Sequence, residues 1–301
     1  MSRSAASRAN RRGEPPPSPE PLPAPALDSH THLDIVLGER PADGHGDWPS
    51  AEDVDAEIAA AVAVNVPRLV QVGVDVASSQ WSAQLAARHP NVLAAVAVHP
   101  NEAGAGAADE AALVEIDRLA ALPRVRAVGE TGLDRYRTGA EGWAAQEASF
   151  RAHIRIAKER GVALVIHDRE AHEEILRVLE DEGAPEHTVF HCFSGDAVFA
   201  KACVERGYVL SFAGTLTFGN AGYLREAAAL TPVDQLLVET DSPFLTPMPH
   251  RGRPNASRLV PHTVRALADV TGTDLEELCH TLTATAERVL GKWEDGAPQV
   301  S

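Results

Sequence analysis

GVALVIHDREAHEEILRVLEDE, residues 161–182, is the stretch that decides the fold. Val162–Ile166 is an unbroken apolar run of strand length that ends on His167. Glu170–Glu182 follows, with Ile175, Val178 and Leu179 spaced to form one helical stripe. An apolar strand, a polar residue at its end and an amphipathic helix make one β/α unit. Reading outward in both directions, the same unit recurs. Strands are expected at Ala26–His32, Arg68–Gly73, Val92–His99, Val125–Glu130, Val162–His167, Thr188–Cys192, Tyr208–Phe212 and Gln235–Thr240. Helices are expected between them at Ala51–Asn65, Ser78–His89, Asp109–Leu122, Trp143–Arg160, Glu170–Glu182, Ala197–Arg206 and Asn220–Leu230. Two more follow the last strand, at Ser257–Thr271 and Asp274–Leu290. Eight alternations predict an α/β fold, a single (β/α)8 TIM barrel. A doubly wound open sheet is the alternative that periodicity does not separate.

The chain of 301 residues, 44% of them hydrophobic, is long enough for one sizeable core. No apolar run approaches the roughly 20 residues that span a bilayer, so no membrane association is expected. Cys192, Cys203 and Cys279 are an odd count at wide spacing, which suits a reducing cytoplasm rather than a disulfide framework. Residues 1–26 are rich in Ser, Arg and Pro and predict a disordered tail. Residues 27–293 hold the barrel, and 294–301 form a second short tail. Arg11-Arg12 is followed by no apolar segment, which argues against an export signal; a transit peptide is a weaker alternative. The net charge is −16; the first 26 residues carry +2, which leaves −18 on the remainder. An acidic body repels nucleic acid at long range unless bound cations and local arginines reverse the sign.

The informative polar residues fall at strand ends. His30 and His32 close the first strand, His99 follows the third, and Glu130 ends the fourth. His167 ends the fifth, His191 the sixth and Asp241 the eighth. In a barrel these ends share one rim, where active sites sit. His-X-His places two imidazoles on one face of a strand, within reach of one metal ion. A carboxylate such as Glu130 has two oxygens and can bridge two cations. Taken singly, each residue is equally at home as a loop-edge polar group or a turn cap. His30, His32, His167 and His191 with two carboxylates converging on one rim are not.

These blocks together resemble the TatD family of metal-dependent deoxyribonucleases, amidohydrolase-like hydrolases on a TIM barrel. The matching stretches are Asp28-Ser-His-Thr-His-Leu-Asp34, Ala97-Val-His-Pro100, Gly129-Glu-Thr-Gly-Leu-Asp134, His167-Asp-Arg169, His191-Cys-Phe-Ser-Gly195 and Glu239-Thr-Asp-Ser-Pro243. Pro249-His-Arg-Gly252 adds to them, and the resemblance spans about residues 27–291 in the family's order. Pro254-Asn-Ala-Ser257 departs from the family's Arg-Asn-Glu-Pro, and Asp134-Arg-Tyr-Arg137 departs from Asp-Tyr-Tyr-Arg. The resemblance implies two divalent cations, Zn, Mn or Mg. His30, His32, Glu130 and Asp241 would hold one; His167 and His191, with Glu130 bridging, would hold the other. Such mixed imidazole and carboxylate ligands suit Zn²⁺ or Mn²⁺.

The expected activity is phosphodiester hydrolysis of nucleic acid, DNA and also RNA, from an end. Asp241 and Glu130 would serve the attacking water, and His99 would act as a phosphate donor or leaving-group acid. Arg135, Arg137, Arg251 and Arg253 lie on rim loops as candidate substrate contacts. No obligate protein partner is implied. The competing reading is a small-molecule amidohydrolase, lactonase or deaminase on the same metals, which the acidic body favours. A non-enzymatic metal-binding scaffold fits least, because the ligand set leaves coordination positions open to water.

Overall fold

A computed structural model describes residues 13–38 and 48–295. Eight parallel strands run in chain order around one sheet. They are β1 (Leu27–Thr31), β2 (Arg68–Val72), β3 (Val92–Val96), β4 (Val125–Asp134), β5 (Ala163–Arg169), β6 (Thr188–Phe190), β7 (Val209–Phe212) and β8 (Leu236–Val238). The barrel closes between β8 and β1. The Asp241 N–H donates to the His30 carbonyl at 2.9 Å, and the His32 N–H donates to the Ser242 carbonyl at 3.0 Å. Closure turns eight apolar runs into one wall buried on both faces, as parallel strands require.

The helices are α1 (Leu33–Val36), α2 (Ala51–Val62), α3 (Val76–Arg88), α4 (Pro100–Gly104), α5 (Glu110–Ala120), α6 (Ala140–Arg160), α7 (His172–Glu182), α8 (Ala197–Val204), α9 (Gly222–Leu230), α10 (Val260–Thr271) and α11 (Leu275–Leu290). Their starts follow from local chemistry. Ser50, Asp75, Asp109, Asp196 and Asp274 each accept a backbone N–H from the first turn of the helix they precede. Gly161 and Gly272 end α6 and α10 in the left-handed conformation, which costs a residue without a Cβ least. The short helices α1 and α4 were not expected; both sit in the loops directly above β1 and β3.

The expectation of a disordered tail to residue 26 is corrected from residue 13 onward. Leu22, Ala24 and Ala26 alternate with exposed residues and are buried, the pattern of an extended strap. The Leu22 N–H donates to the Val64 carbonyl, and the Asn65 side chain donates back to the Leu22 carbonyl. Arg253, Arg258 and Arg265 donate to the carbonyls of Glu14 and Pro15, of Pro16, and of Glu20 and Pro21. The prolines forbid a core of their own, but their fixed φ lowers the entropy lost when the segment docks. Residues 1–12 and 296–301 lie outside the described residues. At the other end, Trp293 is buried, and the carbonyls of Trp293 and Asp295 both accept from Arg124.

Candidate metal centre

His30, His32, Glu130, His167, His191 and Asp241 come together at the C-terminal mouth of the barrel. With Nδ1 of His32 donating to the Val72 carbonyl at 3.1 Å, its Nε2 faces inward. It lies 3.3 Å from Nε2 of His30, 3.5 Å from Oε1 of Glu130 and 3.5 Å from Oδ1 of Asp241. Nε2 of His30 lies 3.5 Å from the same Glu130 oxygen and 4.0 Å from the same Asp241 oxygen. Ligand atoms around a tetrahedral ion with bonds of about 2.1 Å stand about 3.4 Å apart. Five separations of 3.3 to 4.0 Å between two imidazole nitrogens and two carboxylate oxygens therefore fit a divalent cation among them.

The second oxygen of Glu130 faces the other side. Oε2 lies 2.8 Å from Nε2 of His191, 3.1 Å from Nδ1 of His167 and 3.6 Å from Nε2 of His99. One carboxylate is thus shared between two clusters of imidazoles. Groups able to hold a metal occur on both sides, His30, His32 and Glu130 on one and His99, Glu130 and His167 on the other.

The electrostatics point the same way. Burial opposes charge on Glu130, yet the imidazoles of His191 and His99 and the hydrogen bonds from His167 and His191 hold its carboxyl well below the usual range. Burial also opposes the charged form of His32, but Asp241 and Glu130 push its imidazole up to about 9. His191 and His167 rise for the same reason, through Glu130 with Glu239 and through Asp134 with Glu130. The carboxylates thus favour positive charge among them. A divalent cation meets that demand and leaves the imidazoles neutral.

Several supporting residues carried no role in the sequence reading. Glu239, fully buried, accepts on Oε1 from Nδ1 of His191 at 3.2 Å and from the Cys192 N–H at 2.8 Å. It fixes the ring so that Nε2 points at Glu130. Asp134 accepts on Oδ2 from Nε2 of His167 at 3.3 Å. Asp28, buried beneath His30, accepts from the N–H and hydroxyl of Thr240 at 2.8 and 2.6 Å, and burial raises its carboxyl to about 7. The available signal was position: Asp28 and His30 share a strand face, and Glu239 interrupts an apolar run two residues before Asp241. Cys192 and Asp241 hold φ of 44° and 50°, left-handed conformations that concentrate at functional sites.

A cavity of about 770 Å³ opens above the cluster, lined by Glu130, His99, Asp241, Arg137, Arg169 and Phe244 among others. His99 caps α4: its Nδ1 accepts the Asn101 N–H at 3.0 Å, so the proton of the neutral ring sits on Nε2, facing the cluster. Burial lowers its pKa to about 3, and His167 and His191 add to that while Glu130 opposes it. Of the four rim arginines, Arg137 lines the cavity. The others are engaged elsewhere. Arg135 donates to Glu174 at 2.6 Å and lies over Trp143; Arg251 lies 4.3 Å over Phe218; Arg253 grips the strap carbonyls. Arg169, which received no role from the sequence, reaches the cavity wall. Among the described residues no helix is long and apolar enough to cross a membrane.

The family described as TatD related DNase matches residues 27–291. A metal-dependent hydrolase named TatD from Mycobacterium tuberculosis is 45% identical over 269 residues, 88% of this chain and 97% of that protein. A protein from Citrobacter rodentium named 3'-5' ssDNA/RNA exonuclease TatD is 34% identical over 247 residues, 80% of this chain and 92% of its own. The crystal structure of YJJV, a TatD homolog from Escherichia coli, superposes with a TM-score of 0.78 at 23% identity, covering 91% of this chain and 98% of that one. Buried His and Glu groups able to hold a metal at the mouth of an eight-stranded barrel, in a chain 45% identical to a TatD hydrolase over 88% of its length, have one reading: the chain belongs to the TatD family and is a metal-dependent hydrolase.

Proposed function

We propose that this hydrolase cleaves phosphodiester bonds of single-stranded nucleic acid, removing nucleotides from an end, with two divalent cations sharing Glu130. The observation that carries the reading is the division of that one carboxylate, with Oε1 toward His30 and His32 and Oε2 toward His167 and His191. Relatives from Citrobacter rodentium and Escherichia fergusonii that bear the name 3'-5' ssDNA/RNA exonuclease, each 34% identical, support the substrate class.

Cations bound at the two positions would supply an acidified water and neutralise charge gathering on a phosphoryl group. The chain's own residues do the rest. Asp241, held at the mouth by the bond from its N–H to the His30 carbonyl, has its carboxylate beside the cluster, where it orients the attacking water and accepts its proton on an oxygen. The neutral His99 ring donates from Nε2 to a phosphoryl oxygen, a role favoured over acid to the leaving group by the Asn101 N–H held on Nδ1 and by the burial that disfavours a charged ring. Glu239 and Asp134 keep His191 and His167 turned toward Glu130. Arg137 and Arg169 supply local positive charge in the cavity wall of an acidic protein. The three cysteines are free, consistent with a cytoplasmic setting.

The net charge of −16 favours a second reading, a small-molecule amidohydrolase, lactonase or deaminase on the same centre. A panel of single-stranded DNA, RNA, small esters and amides, assayed with Zn²⁺, Mn²⁺ and Mg²⁺, separates the two. Stepwise shortening of an oligonucleotide is expected. Turnover of an ester or amide with every oligonucleotide intact would contradict the nuclease reading.

A further inference from the structure

Two strands overshoot the rest. β4 runs for 10 residues and β5 for 7, and their ladder continues until Asp134 stands opposite Arg169. The excess forms a lip on one side of the mouth. Gly132 lets the two strands approach there: with φ of 136°, it sits so close to the His167 carbonyl that a Cβ would collide with it.

The lip ends in a turn organised by a single carboxylate. Asp134, fully buried, accepts on Oδ1 from the N–H of Tyr136 at 3.0 Å and of Arg137 at 2.7 Å, while its Oδ2 receives His167. The Arg135 N–H donates to the Arg169 carbonyl at 2.9 Å and ties the turn to the tip of β5. The group that orients a proposed metal ligand therefore also fixes the side chains at the edge of the cavity.

That turn presents a large aromatic ring to solvent. Tyr136 is 63% exposed, and the Arg169 guanidinium lies 4.2 Å from its ring centroid. With one face covered by a cation, the opposite face is left for a ligand. Tyr136 stands at the edge of the cavity, and both Arg169 and Arg137, the next residue in the chain after Tyr136, line it. An exposed π-face beside a cavity with two arginines in its wall matches a nucleotide unit, whose base stacks and whose phosphate pairs.

We propose that Tyr136, backed by Arg169 and next in the chain to the cavity-lining Arg137, is a nucleotide subsite that stacks a base of the strand entering the cavity. The proposal rests on the nuclease reading and adds to it a contact to the base, which tolerates sequence because every base has a π-face. Arg169 would hold the ring and meet phosphate in the same pose.

The test uses the metal-loaded full chain and a set of single-stranded oligonucleotides carrying one abasic nucleotide at each of the terminal positions in turn. Tyr136→Ala is expected to raise KM for the intact strand about tenfold with kcat nearly unchanged. One abasic substrate should be cleaved equally by wild type and Tyr136→Ala, because the base that stacks is missing. Tyr136→Phe should restore the intact-strand KM. Metal content should be the same in all three proteins. A Tyr136→Ala penalty that is absent, or equal on every substrate, or not repaired by Phe, would overturn the subsite. Wild-type protein that cleaves no oligonucleotide would instead bring down the nuclease reading on which it rests.

Discussion

The buried Asp28 carboxylate of β1 grips Thr240 of the strand's neighbour twice, through its backbone N–H at 2.8 Å and its hydroxyl at 2.6 Å. Asp28 stands two residues before His30, and Thr240 immediately precedes Asp241. The seam that closes the barrel therefore also sets the spacing between the two elements that present one side of the metal centre. An additional bond from the Ser257 hydroxyl to Thr31 ties the chain that leads into α10 to the same seam.

Thr240→Val keeps the shape and removes one donor to Asp28. The expected cost is about 1–3 kcal/mol of stability, from a buried carboxyl that loses one of its donors and a Ser242 N–H that loses its acceptor. Activity should fall further than stability alone explains, because the seam next to Asp241 loosens. Urea unfolding of both proteins, alongside turnover at a temperature where both are folded, checks this. Unchanged turnover in a destabilised variant would assign the pair to the barrel alone.

Leu22 is buried in the strap at 1% exposure. Leu22→Ala should cost about 2–4 kcal/mol, as for other core leucines. Removing residues 1–25 should lower the melting temperature, since the carbonyls that satisfy Arg253, Arg258 and Arg265 would go with them. Thermal denaturation of the truncated protein is the measurement; a melting curve superimposable on wild type would show that the docked strap contributes no net stability.

His153 offers a pH test away from the proposed ligands. Its Nδ1 donates to the Ser149 carbonyl at 2.7 Å, its Nε2 accepts the Val98 N–H at 3.1 Å, and burial lowers its pKa to about 4. An unfolded histidine titrates near 6.5, so between about 4 and 6.5 the unfolded chain binds the extra proton. The contribution of His153 is complete above pH ~6.5 and is lost as pH falls toward ~4, on the order of 3 kcal/mol in all. Denaturant unfolding across that window should show a shallower decline for His153→Gln than for wild type. Parallel declines would remove His153 from the acid response.

Much of the architecture was legible because parallel strands buried on both faces read as continuous apolar runs, and Val162–Ile166 or Val92–Val96 can hardly be read otherwise. The convergence of His30 and Asp241, far apart in sequence, was legible because strand ends share a rim. The docked strap was not legible: its binding energy lies in arginines and a groove elsewhere in the chain, and its own composition speaks only of extended backbone. Arg135 and Arg253 looked like free cations for a similar reason. The partners that engage them, Glu174 with Trp143 and the carbonyls of Glu14 and Pro15, are tertiary. Asp134 and Glu239 sat inside quoted motifs, yet their orienting roles required knowing which nitrogen of His167 and His191 faces inward.

The central claim is that Glu130 joins two cation positions, and metal content measures it most directly. Wild type, Glu130→Ala and His167→Ala would be loaded with Zn²⁺ or Mn²⁺, freed of excess ion and analysed for bound metal per chain, with oligonucleotide cleavage followed in parallel. The account predicts close to two equivalents in wild type, a loss at both positions in Glu130→Ala with no cleavage, and a loss confined to one position in His167→Ala. Near two equivalents retained in Glu130→Ala, or a wild-type protein that holds one ion at saturation, would contradict it.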